Sequence, residues 1–339
     1  MNPPTTAQVV WLNAPGALEI RQEALPAQLQ ARQLLCSTLV TAISPGTELA
    51  AFRGLPPLRP SVVYPRLQGY CNVAQVMAVG PEVKDFQPGD RILSFSSHRS
   101  AFVLDEQEVL LKLPVGANAD HIACTYLFHL GYNAVLRSDI RAGSRVLVVG
   151  LGALGLTTVA TAALAGARIF ALSDQTRPAE IARQFGAQAA FSRAQLPQLA
   201  DALGSGLADV VVVTTNSWED WNTALRYAGQ RASIAVLGFP GRGEDNPRLN
   251  PLDSQYFYMK QLRIEAVGLS PELPDNRGFN RFNERANLEY LASQIMAGRL
   301  DPTPLITEVF RGQDIQEAYT AILSRRSSAI TCLLKWNKA

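Results

Sequence analysis

Two domains are predicted, one β-rich and one of the doubly wound parallel α/β type, and three features of the 339-residue sequence carry that expectation. The length exceeds what one hydrophobic core usually organises. The first third holds short β-type runs, whereas from Ala119 onward wholly apolar segments alternate with helix-length apolar periodicity, the pattern of βαβ units around a parallel sheet. A glycine-rich turn, Gly150-Leu151-Gly152-Ala153-Leu154-Gly155, falls at a strand-to-helix junction of the second region.

In the first region the β-type runs cover residues 34–40, 73–79, 91–95 and 108–113. Turns separate them at Ser44-Pro45-Gly46, Leu55-Pro56-Pro57 and Gln87-Pro88-Gly89-Asp90, where proline presets φ and glycine supplies positive φ. In the second region strands are expected at 145–149, 168–172, 210–214 and 233–237, with helices starting near Ala153, Pro178 and Trp218. The tail reads as a helix over 287–297, a proline-broken stretch over 301–304, a helix over 314–324 and a strand over 330–334, returning to the first domain. The expected limits are 1–118 with 301–339 for the β-rich domain and 119–300 for the parallel α/β domain.

Composition narrows the partners. Hydrophobic residues make up 47%, charged residues 18%, and the formal net charge is +2, which gives no electrostatic case for nucleic acid or an anionic membrane and favours a small-molecule substrate. The opening Met1-Asn2-Pro3-Pro4-Thr5-Thr6 lacks a basic segment followed by an apolar one, and the runs 146–149 and 210–213 are too short to span a bilayer, so a cytoplasmic protein is expected. Cys36, Cys71, Cys124 and Cys332 form no close pair and read as reduced, buried thiols.

The glycine turn follows the apolar strand Val146-Leu147-Val148-Val149 and opens an apolar helix. In that context Gly150 permits the tight turn, Gly152 lets a diphosphate approach the backbone beside Ala153 and Leu154, and Gly155 allows close helix–strand packing. The helix N-terminus offers unpaired N–H groups to the phosphates. An acidic residue about twenty positions on accepts the adenosine ribose in this fingerprint. Here the second strand ends Leu172-Ser173-Asp174-Gln175-Thr176-Arg177. Asp174 on the ribose would select NAD; Ser173 at the tip with Arg177 pairing a 2′-phosphate would select NADP, which is the favoured reading. Thr214, Thr215, Gly238 and Phe239, at the ends of the next two strands, complete the expected cofactor set.

The segment Gly69-Tyr70-Cys71-Asn72-Val73-Ala74-Gln75-Val76-Met77-Ala78-Val79-Gly80 continues to Val83 and Phe86-Gln87-Pro88-Gly89-Asp90-Arg91-Ile92. Together with Gly143-Ser144-Arg145 before the glycine turn, Val236-Leu237-Gly238-Phe239-Pro240-Gly241 and Gly298-Arg299-Leu300, it resembles the medium-chain dehydrogenase/reductase superfamily over nearly the whole chain. The resemblance implies a GroES-like catalytic domain, a Rossmann dinucleotide-binding domain, an alcohol dehydrogenase-like NAD(P)-linked oxidoreductase and a homodimer paired through an edge strand near 233–237. In zinc-dependent members a Cys-Gly-Thr-Asp motif and a His-Glu pair supply catalytic ligands. Pro45-Gly46-Thr47-Glu48 and Tyr70-Cys71 stand in their places, Tyr126 stands at the third ligand position, and the lobe that carries structural zinc is missing between Asp90 and Leu113. Zinc takes thiolate, imidazole or carboxylate donors, so no zinc is expected at either position. Ile43-Ser44-Pro45-Gly46-Thr47-Glu48 with Phe52-Arg53-Gly54 is most similar to the branch containing bacteriochlorophyllide dehydrogenases and related biosynthetic oxidoreductases.

Without zinc, another donor has to manage charge on the reacting oxygen. Tyr70 is the first candidate, because a phenol hydrogen-bonds an incipient alkoxide and transfers a proton. Thr47 is the second. Ser44, Cys71, Glu48 and Tyr126 are neighbours by the same resemblance, with Glu48 also readable as holding a local turn or pairing with an arginine. His98, in Ser96-Ser97-His98-Arg99-Ser100, lies on a loop able to reach the site, while His121 and His129 read as structural. Residues 246–261, with Tyr256, Phe257 and Tyr258, are readable as a substrate or cofactor wall or as a subunit contact, with packing the favoured reading. Two other functions stay open: a non-redox protein of the same fold, and a lyase or cyclase that uses a bound nicotinamide transiently.

Overall fold

Ala7, Val9, Val10 and Leu12 are buried along the first strand, β1 (Thr6–Ala14), which pairs antiparallel with β2 (Ala17–Ala24). Sequence patterning does not pick out this hairpin, since β2 keeps much of its surface in water and places Glu19, Arg21 and Glu23 among its residues. The structure is a computed structural model that describes residues 3–56, 64–245, 250–268, 270, 277–324 and 329–336. The long strand β3 (Gln33–Ala42) leads into α1 (Pro45–Phe52), where proline occupies the first turn and forfeits no helical hydrogen bond. There follow β4 (Arg66–Leu67), β5 (Asn72–Val79), β6 (Arg91–Ser94), β7 (Ala101–Asp105), β8 (Leu111–Leu113) and the short helix α2 (Ala119–Ala123). The strand expected over 108–113 is shorter. Asp105 accepts from the Gln107 N–H, Glu108 accepts from the Asp105 N–H, and this reciprocal cap winds Glu106–Glu108 into a 3₁₀ turn.

The second region runs α3 (Thr125–Arg137), β9 (Arg145–Val149), α4 (Ala153–Leu164), β10 (Arg168–Leu172), α5 (Thr176–Gln184), β11 (Ala189–Phe191), α6 (Leu196–Leu203), β12 (Ala208–Val213), α7 (Trp218–Tyr227), β13 (Ala228–Val236) and β14 (Arg263–Ala266). All six strands are parallel, in the order β11-β10-β9-β12-β13-β14. The central strands are almost wholly apolar because side chains on both faces are covered. Leu147, Val149, Val211, Val213 and Ile234 pack with Trp221 and Leu225 of α7. Each such side chain contributes about 1.5–3 kcal/mol by leaving water. Pro178 lies inside α5 and does not start it, as the first-turn N–H it lacks has no helical partner anyway. The expected edge strand near 233–237 is β13, and it is interior: β14 pairs alongside it and forms the edge. In the stretch 250–261, Tyr256 and Phe257 pack against the sheet's core, whereas Tyr258 is 76% exposed.

The tail adds α8 (Glu284–Met296), β15 (Ile306–Arg311), α9 (Ile315–Leu323) and β16 (Thr331–Lys335). Strand β16 pairs antiparallel with β3 and parallel with β15, completing a seven-stranded sheet ordered β15-β16-β3-β5-β6-β8, with β7 also on β3. Strand β15, directly after the proline-broken stretch, has no counterpart in the sequence expectations. Tyr319 and Ile322 of α9 close over Val10, Ile43, Leu49, Cys332 and Leu334. The chain divides into two units, Met1–Tyr126 with Arg285–Ala339, and Leu127–Glu284. Among the described residues no helix is long and apolar enough to cross a membrane. Among the described residues none of the four cysteines forms a disulfide, and all four are buried.

Candidate functional site

In the parallel α/β unit the glycine turn lies at the carboxyl end of β9, the edge at which open α/β sheets bind ligands. Gly150 has φ +91°, a conformation that opens the turn without strain only for glycine. A Cβ on Gly155 would lie 1.9 Å from the Gly150 carbonyl oxygen, so the helix packs against its own turn. Thr214, at the end of β12, donates its hydroxyl to the carbonyls of Val149 and Gly150 at 3.1 and 3.0 Å and fixes the turn from the side. Gly152 is the N-cap of α4 and makes no side-chain cap, with open space where a Cβ would be. The first N–H groups of α4, beginning at Ala153 and Leu154, therefore meet no side-chain acceptor from the cap. Gly238 is pressed against the Thr215 backbone, the Thr215 hydroxyl is buried without a hydrogen-bond partner, and the Phe239 N–H is held by Asn216. This cradle of close-packed glycines and helix N–H groups fits a dinucleotide diphosphate.

At the tip of β10 Asp174 is drawn into an ion pair. Both oxygens of Asp174 are taken by Arg193: Oδ1 accepts the backbone N–H at 2.7 Å and Oδ2 the guanidinium, whose contacts hold the carboxyl below its usual range. Asp174 is thus ion-paired, with about half of its side chain exposed. Ser173 caps the strand tip, its hydroxyl accepting from the Gln175 N–H, and Arg177 on the first turn of α5 is half-exposed with Glu180 at 3.8 Å.

In the β-rich unit the seven catalytic candidates gather. Glu48, 1% exposed, is the hub. Its Oε1 accepts the Ser44 N–H at 2.7 Å, and its Oε2 meets His98 Nε2 at 2.8 Å and accepts the Tyr319 hydroxyl at 2.7 Å. Glu48 holds the turn into α1, in line with one of its sequence readings, but its partners are a histidine and a tyrosine and not an arginine. His98 Nδ1 lies 2.7 Å from the Thr41 hydroxyl, which also accepts from the Trp336 indole at 3.1 Å. His98 is fully buried, so its loop turns the ring inward. Asn72 holds the Ser97 carbonyl at 3.1 Å, the His98 N–H binds the Gln68 carbonyl at 2.7 Å, and Gly69 leaves the room that the imidazole fills.

In front of that network the half-buried Tyr70 donates its phenol to Ser44 Oγ and hydrogen-bonds Thr47. Burial pushes the phenol well above its ordinary range, the neighbouring Cys71 and Glu48 add to the shift, and the two hydroxyl contacts oppose it. Tyr126, on the first turn of α3, packs edge-on against Tyr70 at 5.4 Å and Phe95 at 5.0 Å. Cys71 and Cys124 are buried, and burial raises both thiols, Cys124 to about 12. Elsewhere, His121 lies 3.3 Å from Thr303, and buried His129 contacts Ser270 at 3.2 Å. Sequence reasoning misses Thr41, Tyr319 and Trp336, and no local motif marks them.

Among the described residues no three His, Cys, Asp or Glu side chains gather as a metal-binding group. At the positions that the resemblance assigns to zinc ligands stand Pro45, the phenols of Tyr70 and Tyr126 and the buried Cys71 thiol, raised away from thiolate, and both Glu48 oxygens already accept hydrogen bonds. That donor set does not fit zinc.

The family described as zinc-binding dehydrogenase matches residues 153–276, which include none of the residues around Glu48 and Tyr70. The chain is 26% identical over 294 residues to an NADP-dependent isopropanol dehydrogenase of Thermoanaerobacter brockii, covering 74% of this chain and 79% of that one. It is 24% identical over 347 residues to the L-threonine 3-dehydrogenase of Aeromonas salmonicida (strain A449), covering 92% and 94%. The fold matches the crystal structure of 2R,3R-butanediol dehydrogenase from Bacillus subtilis with a TM-score of 0.81 at 17% identity, over 98% of this chain and 100% of that one. With its glycine-lined turn on a six-stranded parallel sheet and its β-rich second unit, the chain is similar in sequence and fold to dehydrogenases of the medium-chain dehydrogenase/reductase superfamily.

Proposed function

We propose that this chain is a zinc-independent NAD(P)-dependent oxidoreductase, with NADP preferred, acting on a small or medium organic molecule at an alcohol/ketone pair or a conjugated alkene. The observation that carries the reading is the cluster of the Tyr70, Ser44 and Thr47 hydroxyls, with Tyr70 at a position where the resemblance implies a zinc ligand. A bound nicotinamide supplies the hydride donor or acceptor. The chain supplies grip and proton management. Ala153 and Leu154 would present backbone N–H groups to the phosphates beside Gly152, with Gly150 opening the turn, Gly155 packing the helix against it and Thr214 holding it. Tyr70 keeps its proton at neutral pH, which suits a hydrogen-bond and proton donor to an oxygen gaining charge, not a base. Ser44, which accepts from Tyr70, keeps its own O–H as a second donor. In the reducing direction the hydroxyl cluster would hold the substrate oxygen, deliver a proton to it as it gains charge and recover a proton from solvent. Oxidation reverses each transfer.

The preference for NADP is supported by Asp174 being engaged with Arg193, by Ser173 at the strand tip and by the half-exposed Arg177. A biosynthetic role rests on the similarity of residues 43–54 to the bacteriochlorophyllide-dehydrogenase branch. A homodimer paired through β14 and a cytoplasmic setting complete the proposal; β14 is an edge strand with Ile264 partly exposed.

The test is turnover of secondary alcohols, ketones and enones, followed at the reduced-nicotinamide absorbance, in the presence of a strong zinc chelator. Turnover should persist, and Tyr70→Phe should lower kcat by about 10²–10⁴-fold with dinucleotide Kd unchanged. Loss of turnover on chelation would end the zinc-independent reading, and an unaltered kcat would remove Tyr70. Substrate consumed with no net change in cofactor would point to the lyase or cyclase alternative.

A further inference from the structure

Strands β10 and β11 are parallel neighbours, so the turns that leave them, Ser173-Asp174 and Ser192-Arg193, emerge side by side at the carboxyl edge of the sheet. Arg193 reaches Asp174 with both its backbone N–H and its guanidinium. The same guanidinium also binds Asp220, on the first turn of α7, and has Glu219 at 3.9 Å. Asp220 is only 2% exposed, so its carboxylate depends on this partner and holds the guanidinium in place. Arg193 Nε remains buried without a hydrogen-bond partner.

A carboxylate at the tip of the second strand selects NAD by accepting the ribose hydroxyls and repelling a 2′-phosphate. Arg193 weakens both actions, since it takes up one hydrogen bond on each oxygen of Asp174 and places a positive charge, shared with Asp220, beside them. We infer that Arg193 is the residue that sets dinucleotide preference in this chain: anchored by Asp220, it weakens Asp174 as an NAD selector and so favours the 2′-phosphate of NADP. The inference rests on the nicotinamide-binding reading above and adds the residue that decides between the two cofactors. Without Arg193, the half-exposed Asp174 carboxylate would meet that phosphate with no counter-charge beside it.

The test is calorimetric titration of the purified chain with NADP and with NAD, read as the ratio of their Kd values. Arg193→Ala should move the ratio toward NAD by about tenfold or more, the scale of one lost charge-assisted contact. Combining it with Asp220→Asn avoids an unpaired buried carboxylate if the single variant fails to fold. Asp174→Ala leaves the Arg193–Asp220 pair intact and should move the ratio toward NADP. Ratios that stay within about threefold of the parent in both variants, or shift the opposite way, overturn the assignment while leaving the nicotinamide reading intact. A parent protein that binds neither dinucleotide overturns both.

Discussion

At the carboxyl end of β9 the chemistry belongs to backbone atoms: a glycine at φ +91°, a helix N-terminus without a side-chain cap, and a threonine hydroxyl pinning two carbonyls, most of it within residues 149–155. Around Glu48 it belongs to side chains from β3, α1, the 96–100 loop and α9, all converging on one buried carboxyl group. A backbone-built cradle is sensitive to added volume and indifferent to most side-chain chemistry. A side-chain network is sensitive to the loss of any acceptor, because each donor it leaves behind is buried and unsatisfied.

That contrast can be broken in order of expected effect. Glu48→Ala strands the Ser44 N–H, His98 and the Tyr319 hydroxyl together and should cost about 3–5 kcal/mol of unfolding free energy in a denaturant titration. A loss below about 1 kcal/mol would mean that the network is not what holds this unit. Gly155→Ala places a Cβ against the Gly150 carbonyl and should weaken dinucleotide binding by tenfold or more, about 1–3 kcal/mol of strain. An unchanged Kd would show that the diphosphate is gripped elsewhere.

The smallest effect sharpens the comparison through pH. Burial lowers His129 to about 4 from an ordinary 6.5, so the unfolded chain binds its proton first as pH falls. The stability from keeping His129 neutral is present above about pH 6.5 and is lost as pH falls toward 4, by about 2–3 kcal/mol at most. His129→Gln should flatten that part of the stability–pH curve, and an unchanged slope would assign the acid sensitivity to other groups. Tyr70, raised and not lowered, contributes nothing to this window.

The glycine turn is legible in the sequence alone because its requirements are local: positive φ at one residue, no Cβ at two others, an apolar strand before and an apolar helix after. The gathering of Ser44, Thr47, Glu48, Tyr70, Cys71, Tyr126 and His98 is legible only through resemblance. Even so, the orientation of His98 is not, since a ring that could have faced outward is turned inward by an acceptor fifty positions away. Strand β14 is hidden because its residues, Arg263, Ile264, Glu265 and Ala266, do not look like an interior or an edge until β13 lies beside them. Likewise Asp174 looks available for a ribose until Arg193, on the turn after the neighbouring strand, closes on it.

Local backbone geometry and hydrophobic periodicity are therefore settled by the order of residues alone, along with the parallel sheet and the turn at its edge. The partners of Glu48 and Asp174 are decided only when separate segments pack. Tyr319 lies 271 positions from Glu48. A hydrogen bond between side chains depends on distances of a few ångströms that no neighbouring residue encodes.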